Sequence, residues 1–186
     1  MNTTTETIVL SDFAVAHSAY SDLAMQATLQ QVEQAATWYA DAQEVAEDVA
    51  EIMGTTLEVG ASIVSAFSPR ERWASNVAKA YSFAHGKPIV GLSNNLKMAQ
   101  RATELGFDAL KGQKTNAFAR AIAGDDNAVV IDVWMIRAAG LDASKGVNKS
   151  QYNALAEAVR TVAYSHGLSP RTMQALIWIV KRGSAE

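Results

Sequence analysis

The sequence predicts an all-α protein of roughly eight or nine helices, and three observations carry that prediction. Apolar residues recur at three- and four-residue steps along most of the chain, and the breaks between these runs are short. The third is that one run only, Ala128–Ile136, has the β-branched content of a strand, and an isolated strand cannot make a sheet. At 186 residues, 49% hydrophobic and 19% charged, the chain has the size of one ordinary domain with a sizeable core rather than of two full ones.

The elements follow in order. Leu29, Val32, Ala36, Tyr39, Ala42, Val45, Val49 and Ile52 lie on one face of a long amphipathic helix that Gly54 ends. Leu57, Ile63, Val64 and Phe67 predict a second, more buried helix. Ser68-Pro69-Arg70 has the form of a serine N-cap with proline at the first helical position, opening a helix through Trp73, Val77 and Tyr81 to Ala84. His85-Gly86-Lys87-Pro88 is a loop, and Ser93 caps a helix reaching Leu105. Lys145-Gly146 and Asn148 mark a break before a helix over 149–165. Ser169-Pro170-Arg171 opens the last one, through Arg182. Ile131, Val133 and Ile136 are expected in the core, since burying each large side chain is worth about 1.5–3 kcal/mol.

Charge is unevenly distributed. Residues 1–60 hold ten Asp or Glu and no Lys or Arg, whereas the remainder holds all sixteen basic residues against nine acids. This predicts an acidic N-terminal helical segment, 1–56, packed on a main domain, 57–186, whose basic surplus suits an anionic partner such as DNA. The acidic helices are in turn a candidate surface for a protein partner. Zero cysteines exclude a disulfide scaffold, a cysteine metal site and a catalytic thiol. His17, His85 and His166 stand far apart without ligand spacing, so no metal and no cofactor is expected. No run of eighteen apolar residues and no signal-like leader is present, which predicts an intracellular, cytoplasmic protein without a membrane role.

The stretch from Leu110 to Arg137 carries the chemistry. A helix ending in Asp108-Ala109-Leu110, a turn with Gly112 and a new helix near Lys114-Thr115 form a helical hairpin. The N–H groups of such a turn can receive a DNA phosphate, with Lys111 adding charge and Gln113 and Thr115 lying at the same helix start. Further on, Ile131-Asp132-Val133-Trp134-Met135-Ile136-Arg137 places an aspartate eighteen positions after Lys114 and an arginine five positions after the aspartate.

In these residues the chain resembles the helix-hairpin-helix DNA glycosylase superfamily. Lyase-type members carry L-P-G-V-G-x-K-T and then V-D-x-H-x-x-R; Lys114-Thr115 fits the first motif, and Asp132 and Arg137 fit the second. The likeness extends more loosely over residues 57–182. The departures are local: Ala109, Leu110 and Lys111 stand at the first hairpin positions, only Gly112 remains of two glycines, and Trp134 replaces the histidine. The resemblance implies a helix-hairpin-helix glycosylase-like fold and base processing on an extruded nucleotide, with Asp132 and Lys114 as catalytic residues. Gly112, Gln113, Thr115, Lys111 and Arg137 would then be DNA contacts.

Such chemistry has a clear physical demand. Cleaving an N-glycosidic bond builds positive charge on the sugar, which a fixed carboxylate stabilises, and a desolvated lysine attacks C1′ to give an imine. Arg70 and Arg72 are further candidate phosphate contacts. Of the indoles Trp73, Trp134 and Trp178, Trp134 is the candidate to stack an extruded base. Asp125-Asp126 is a turn pair after Gly124. A related branch, phage-type proteins described as glutamyl or putrescinyl thymine pyrophosphorylases, implies a different reaction in which an amine displaces pyrophosphate from an activated 5-hydroxymethyl base. A non-catalytic interaction protein on the same fold is the third expectation.

Overall fold

A computed structural model describes residues 3–91 and 93–183, with side chains from residue 10 onward; the final position of the expected main domain, residue 186, lies outside them. Among the described residues the protein is all-α, with no strand. The helices are α1 (Thr3–Gln26), α2 (Leu29–Met53), α3 (Leu57–Phe67), α4 (Trp73–Ala84), α5 (Ser93–Leu105), α6 (Gln113–Ile122), α7 (Val133–Ala138), α8 (Lys149–His166) and α9 (Pro170–Arg182). Short 3₁₀ turns occupy Gly106–Ala109 and Ala143–Lys145. No single helix among the described residues is long and apolar enough to cross a membrane.

The chain divides into two compact units that interleave in sequence. Among the described residues, one is built from 3–38 and 126–183, the other from 39–91 and 93–125. Composition changes at about residue 56, but packing changes within α2, between Trp38 and Tyr39, and again between Asp125 and Asp126.

In the first unit α1 packs on α8 and α9, α7 lies on α9 and α1, and α8 rests on α9. Its core includes Tyr20, Met135, Leu155, Val159, Met173 and Ile177, all fully buried. The two C-terminal helices begin where their caps dictate. Asn148 and Gln151 form a reciprocal capping box on α8. Ser169 accepts from the Thr172 N–H at the start of α9, with Pro170 in its first turn.

The run Ala128–Ile136 resolves into two parts. Residues 128–132 are neither helix nor strand and are buried up to Ile131, and α7 begins at Val133. Without a neighbouring strand, this buried backbone finds its partner in a side chain: the Tyr152 hydroxyl donates to the Val129 carbonyl at 3.0 Å and accepts from the Ile131 N–H at 3.2 Å. Ile131 and Ile136 are core residues, but Val133 is 40% exposed, because the first turn of α7 presents it outward once Asp132 caps the helix.

In the second unit α3 is central and touches α4, α5, α6 and the Gly106–Ala109 turn. Its residues from Gly60 to Phe67 are all buried. Thr56 caps it. A Cβ on Gly60 would stand 2.1 Å from the Ala46 carbonyl oxygen, so glycine permits the α2 and α3 backbones to approach.

One helix start differs from expectation. Ser68 is the C-cap of α3, and α4 begins only at Trp73, with Arg72 as an N-cap that makes no side-chain bond. The Ser68 hydroxyl is engaged by Lys114 rather than by a helix N–H, and Arg70 takes a left-handed conformation, φ 63°, which breaks any helix through it. Glu71 then accepts from Ser75 and Lys79, fastening the turn to α4.

Candidate functional site

Asp132 is positioned by the start of α7. Its Oδ1 accepts from the backbone N–H of Trp134 at 2.9 Å and of Met135 at 3.0 Å, the N-cap arrangement that an aspartate before a helix favours. Its Oδ2 accepts from the indole Nε1–H of Trp178 at 3.1 Å. Three donors from α7 and α9 therefore fix both oxygens of a carboxylate that is only partly buried. Two buried tyrosines hold the same segment from beneath. Tyr20 donates to the Met135 carbonyl at 3.0 Å, and Tyr152 brackets Val129 and Ile131.

The carboxylate is felt by both phenols. Burial pushes the Tyr20 hydroxyl well above its ordinary range, and the charge of Asp132 adds to the effect. Burial likewise pushes Tyr152 up to about 12, opposed by the hydrogen bond from Ile131 and by Arg160 but assisted by Asp132.

Around Asp132 the first unit gathers indoles and guanidiniums. The Arg137 guanidinium carbon lies 5.0 Å from the Trp134 ring centroid. Arg182, one helical turn beyond Trp178 on α9, lies 4.3 Å from the Trp178 centroid and 5.7 Å from that of Trp134. Trp38 meets Trp178 with centroids 6.0 Å apart. Trp134 is half-buried with arginines over it, and Trp178 is tied to Asp132 through its nitrogen. Cation–π geometry of this kind leaves the edge N–H groups of a guanidinium available to an anion.

The segment expected to form the helical hairpin, α5 through the Gly106–Ala109 turn to α6, belongs to the second unit. The Gly106–Ala109 turn follows α5, and Gly112 caps α6 in extended conformation, φ −78°, without a side-chain bond. Asn116 closes the hairpin by donating to the carbonyls of Phe107 and Leu110 at 3.0 and 3.3 Å. Thr115 is buried: its hydroxyl donates to the Gly112 carbonyl, and its own carbonyl accepts from Ser65 at 2.7 Å. Thr115 is thus a packing residue that ties α6 to α3 rather than a group presented to DNA, because both its polar groups are spent inside the fold.

The glycine that the hairpin requires is Gly106, not Gly112. Gly106 has φ 51°, and a Cβ there would stand 2.3 Å from the Glu58 carboxylate, which accepts from the Phe107 N–H. Lys114 donates to the Ser68 hydroxyl at 3.2 Å and lies 5.7 Å above the Phe118 ring. That bond sets the start of α6 beside the turn carrying Arg70 and Arg72. Lys111, Gly112, Gln113, Arg70 and Arg72 are all exposed, so this end of the unit offers cationic and backbone groups to solvent.

Of the residues singled out in the sequence, Asp132, Trp134 and Arg137 therefore share one unit. Lys111, Gly112, Gln113, Lys114, Thr115, Arg70 and Arg72 belong to the other. Trp73 also belongs to the second unit, edge-on to Phe118 at 6.4 Å. Asp126 is a turn residue that pairs with Arg171 at 2.9 Å. Arg182 and Trp38 escaped the sequence reading. For Arg182 the four-residue step from Trp178 on one helix was the available signal; for Trp38 there was none.

No curated protein and no solved structure matches the chain. The profile of a family of unknown function, DUF7178, matches residues 13–185, nearly the whole length. The chain therefore belongs to the DUF7178 family.

Proposed function

We propose that this protein is a DNA base-processing enzyme, of the helix-hairpin-helix glycosylase type, that acts on an extruded nucleotide. The observation that carries the reading is the immobilisation of Asp132. A carboxylate held by two backbone N–H groups and one indole N–H keeps its position as charge develops on the sugar, so no reorganisation is required at the moment of bond cleavage.

The second unit adds support in its exposed cations. Lys111 lies at the start of α6, and Lys114 fastens this start to the turn carrying Arg70 and Arg72, groups suited to a DNA phosphate. Lys114 is the candidate for imine formation with the opened sugar; releasing its proton and breaking the bond to Ser68 are what that role demands. A lyase reaction gives a borohydride-trapped protein–DNA adduct that Lys114→Ala cannot form. A monofunctional glycosylase gives abasic sites without an adduct.

One observation favours a second reading. Arg137 rests on Trp134 without a carboxylate partner among the described residues, a position suited to a diphosphate leaving group. Replacement of an activated 5-hydroxymethyl group by an amine would keep the glycosidic bond. Digested nucleosides would then gain the mass of the amine, and no abasic sites would form.

A further inference from the structure

We infer that Arg182 and Arg137 together form a phosphate-binding clamp mounted on Trp134 and Trp178, and that its ligand is a phosphate group of the nucleic-acid substrate. The inference deepens the DNA-processing reading and rests on it for the identity of the phosphate's carrier. Arg182 itself has no role in that reading.

Two independent features of the first unit lead to this assignment. The first is the supply of unused donors. Arg182 is half-buried at the end of α9 and touches the faces of two indoles; its planar group offers five N–H donors, and none meets an acceptor among the described residues. Arg137, exposed and set over the Trp134 ring alone, likewise meets no acceptor among the described residues. Stacking fixes the plane of a guanidinium while leaving its edge open, which lowers the ordering cost of a bidentate bond to phosphate.

The second feature is uncompensated charge. Two guanidiniums stand within 6 Å of the centroid of the same Trp134 ring, at 5.0 and 5.7 Å, and neither forms an ion pair with a carboxylate among the described residues. Asp132 does not neutralise them by hydrogen bonding, since its bonds go to the Trp134, Met135 and Trp178 N–H groups. A phosphate taken up beside this ring meets guanidinium donors that have no acceptor among the described residues and supplies the negative charge they lack. Phosphate fits the fork geometry; its source is either the backbone of a DNA strand or the diphosphate of an activated base.

Intrinsic tryptophan fluorescence reads the site, because both guanidiniums lie against indoles. The full chain is titrated with a short oligothymidylate, with its uncharged methylphosphonate counterpart and with inorganic pyrophosphate, and Arg182→Gln and Arg182→Lys are compared with the parent protein. For a backbone phosphate, Arg182→Gln weakens oligothymidylate binding by about tenfold or more and lowers the slope of log affinity against log salt by about 0.7. Arg182→Lys keeps the salt slope but not the full affinity, and methylphosphonate binding is the same in all three proteins. For a diphosphate, the same Arg182 dependence appears with pyrophosphate and not with oligothymidylate.

Affinity and salt slope unchanged in both variants, for both anions, overturn the clamp. Arg182-dependent binding in a protein that neither releases nor modifies a base leaves the clamp standing and removes the catalytic reading. Base release unaffected by either variant, with unchanged binding, removes the clamp alone.

Discussion

The indole N–H of Trp178 donates to Oδ2 of Asp132 across 3.1 Å, tying the last helix to the start of α7. Asp132 thereby has two separable duties, as helix cap and as fixed charge. Asp132→Asn keeps an oxygen for the Trp134 and Met135 N–H groups but turns an NH2 donor toward the Trp178 N–H, whereas Asp132→Ala loses the cap as well as the Trp178 bond. Urea denaturation should show Asp132→Ala destabilised by about 1–3 kcal/mol and Asp132→Asn by markedly less. Equal losses would show that the cap is not what Asp132 contributes.

Tyr152 stands in for a missing strand. Its hydroxyl serves the Val129 carbonyl and the Ile131 N–H, both in buried backbone. Tyr152→Phe keeps the ring but leaves those two groups unpaired, at a cost of about 1–3 kcal/mol each at most. Hydrogen exchange at Ile131 should accelerate well beyond the global change in stability. An Ile131 amide as protected as before would refute this role.

Alkaline pH acts through the same tyrosines. The ordinary phenol value is 10.0; in the folded protein Tyr152 is raised to about 12, and Tyr20 is also raised, both chiefly by burial. The native state therefore keeps protons that the unfolded chain gives up. Their contribution is complete below pH 10.0 and is lost as pH climbs through the folded values; Tyr152 alone accounts for a change on the order of 2 kcal/mol. The urea midpoint should fall between about pH 10 and about pH 12, and less steeply in Tyr152→Phe. A flat profile would contradict the assignment.

The two hairpin glycines should respond differently to alanine. At Gly106 the left-handed backbone and the approach to Glu58 both oppose a Cβ, and the Phe107 N–H loses its acceptor if Glu58 moves. A cost of about 1–3 kcal/mol is expected from thermal melts. At Gly112 the backbone conformation suits any residue, and the nearest obstacle is the Thr115 hydroxyl at 3.2 Å, so the cost should be smaller. The reverse order would overturn this account of the turn.

The helices were legible where local chemistry fixes them. Periodicity gave the bounds of α2, and Asn148-Gln151 and Ser169-Pro170 announced α8 and α9. Ser68-Pro69-Arg70 carries the same signal as Ser169-Pro170-Arg171 and reads wrongly, because its outcome depends on a lysine forty-six residues away that takes the serine hydroxyl. The conformation of Gly106 depends in the same way on Glu58, forty-nine residues from its partner Phe107. Asp132 stands directly before α7, where an aspartate caps by local geometry. Its third donor and the arginine beside it come from α9, more than forty positions on, and local pattern does not encode such a meeting.

The central claim is that Asp132 stabilises charge on a sugar whose base is being removed. Its most direct test is the rate of base release by the full-length protein and by Asp132→Asn, on duplexes carrying damaged bases or uracil, with the urea midpoint of both proteins measured alongside. Release by the parent protein is expected, with a fall of at least about a hundredfold in an Asp132→Asn protein that still folds. Full activity in a folded Asp132→Asn protein would contradict it.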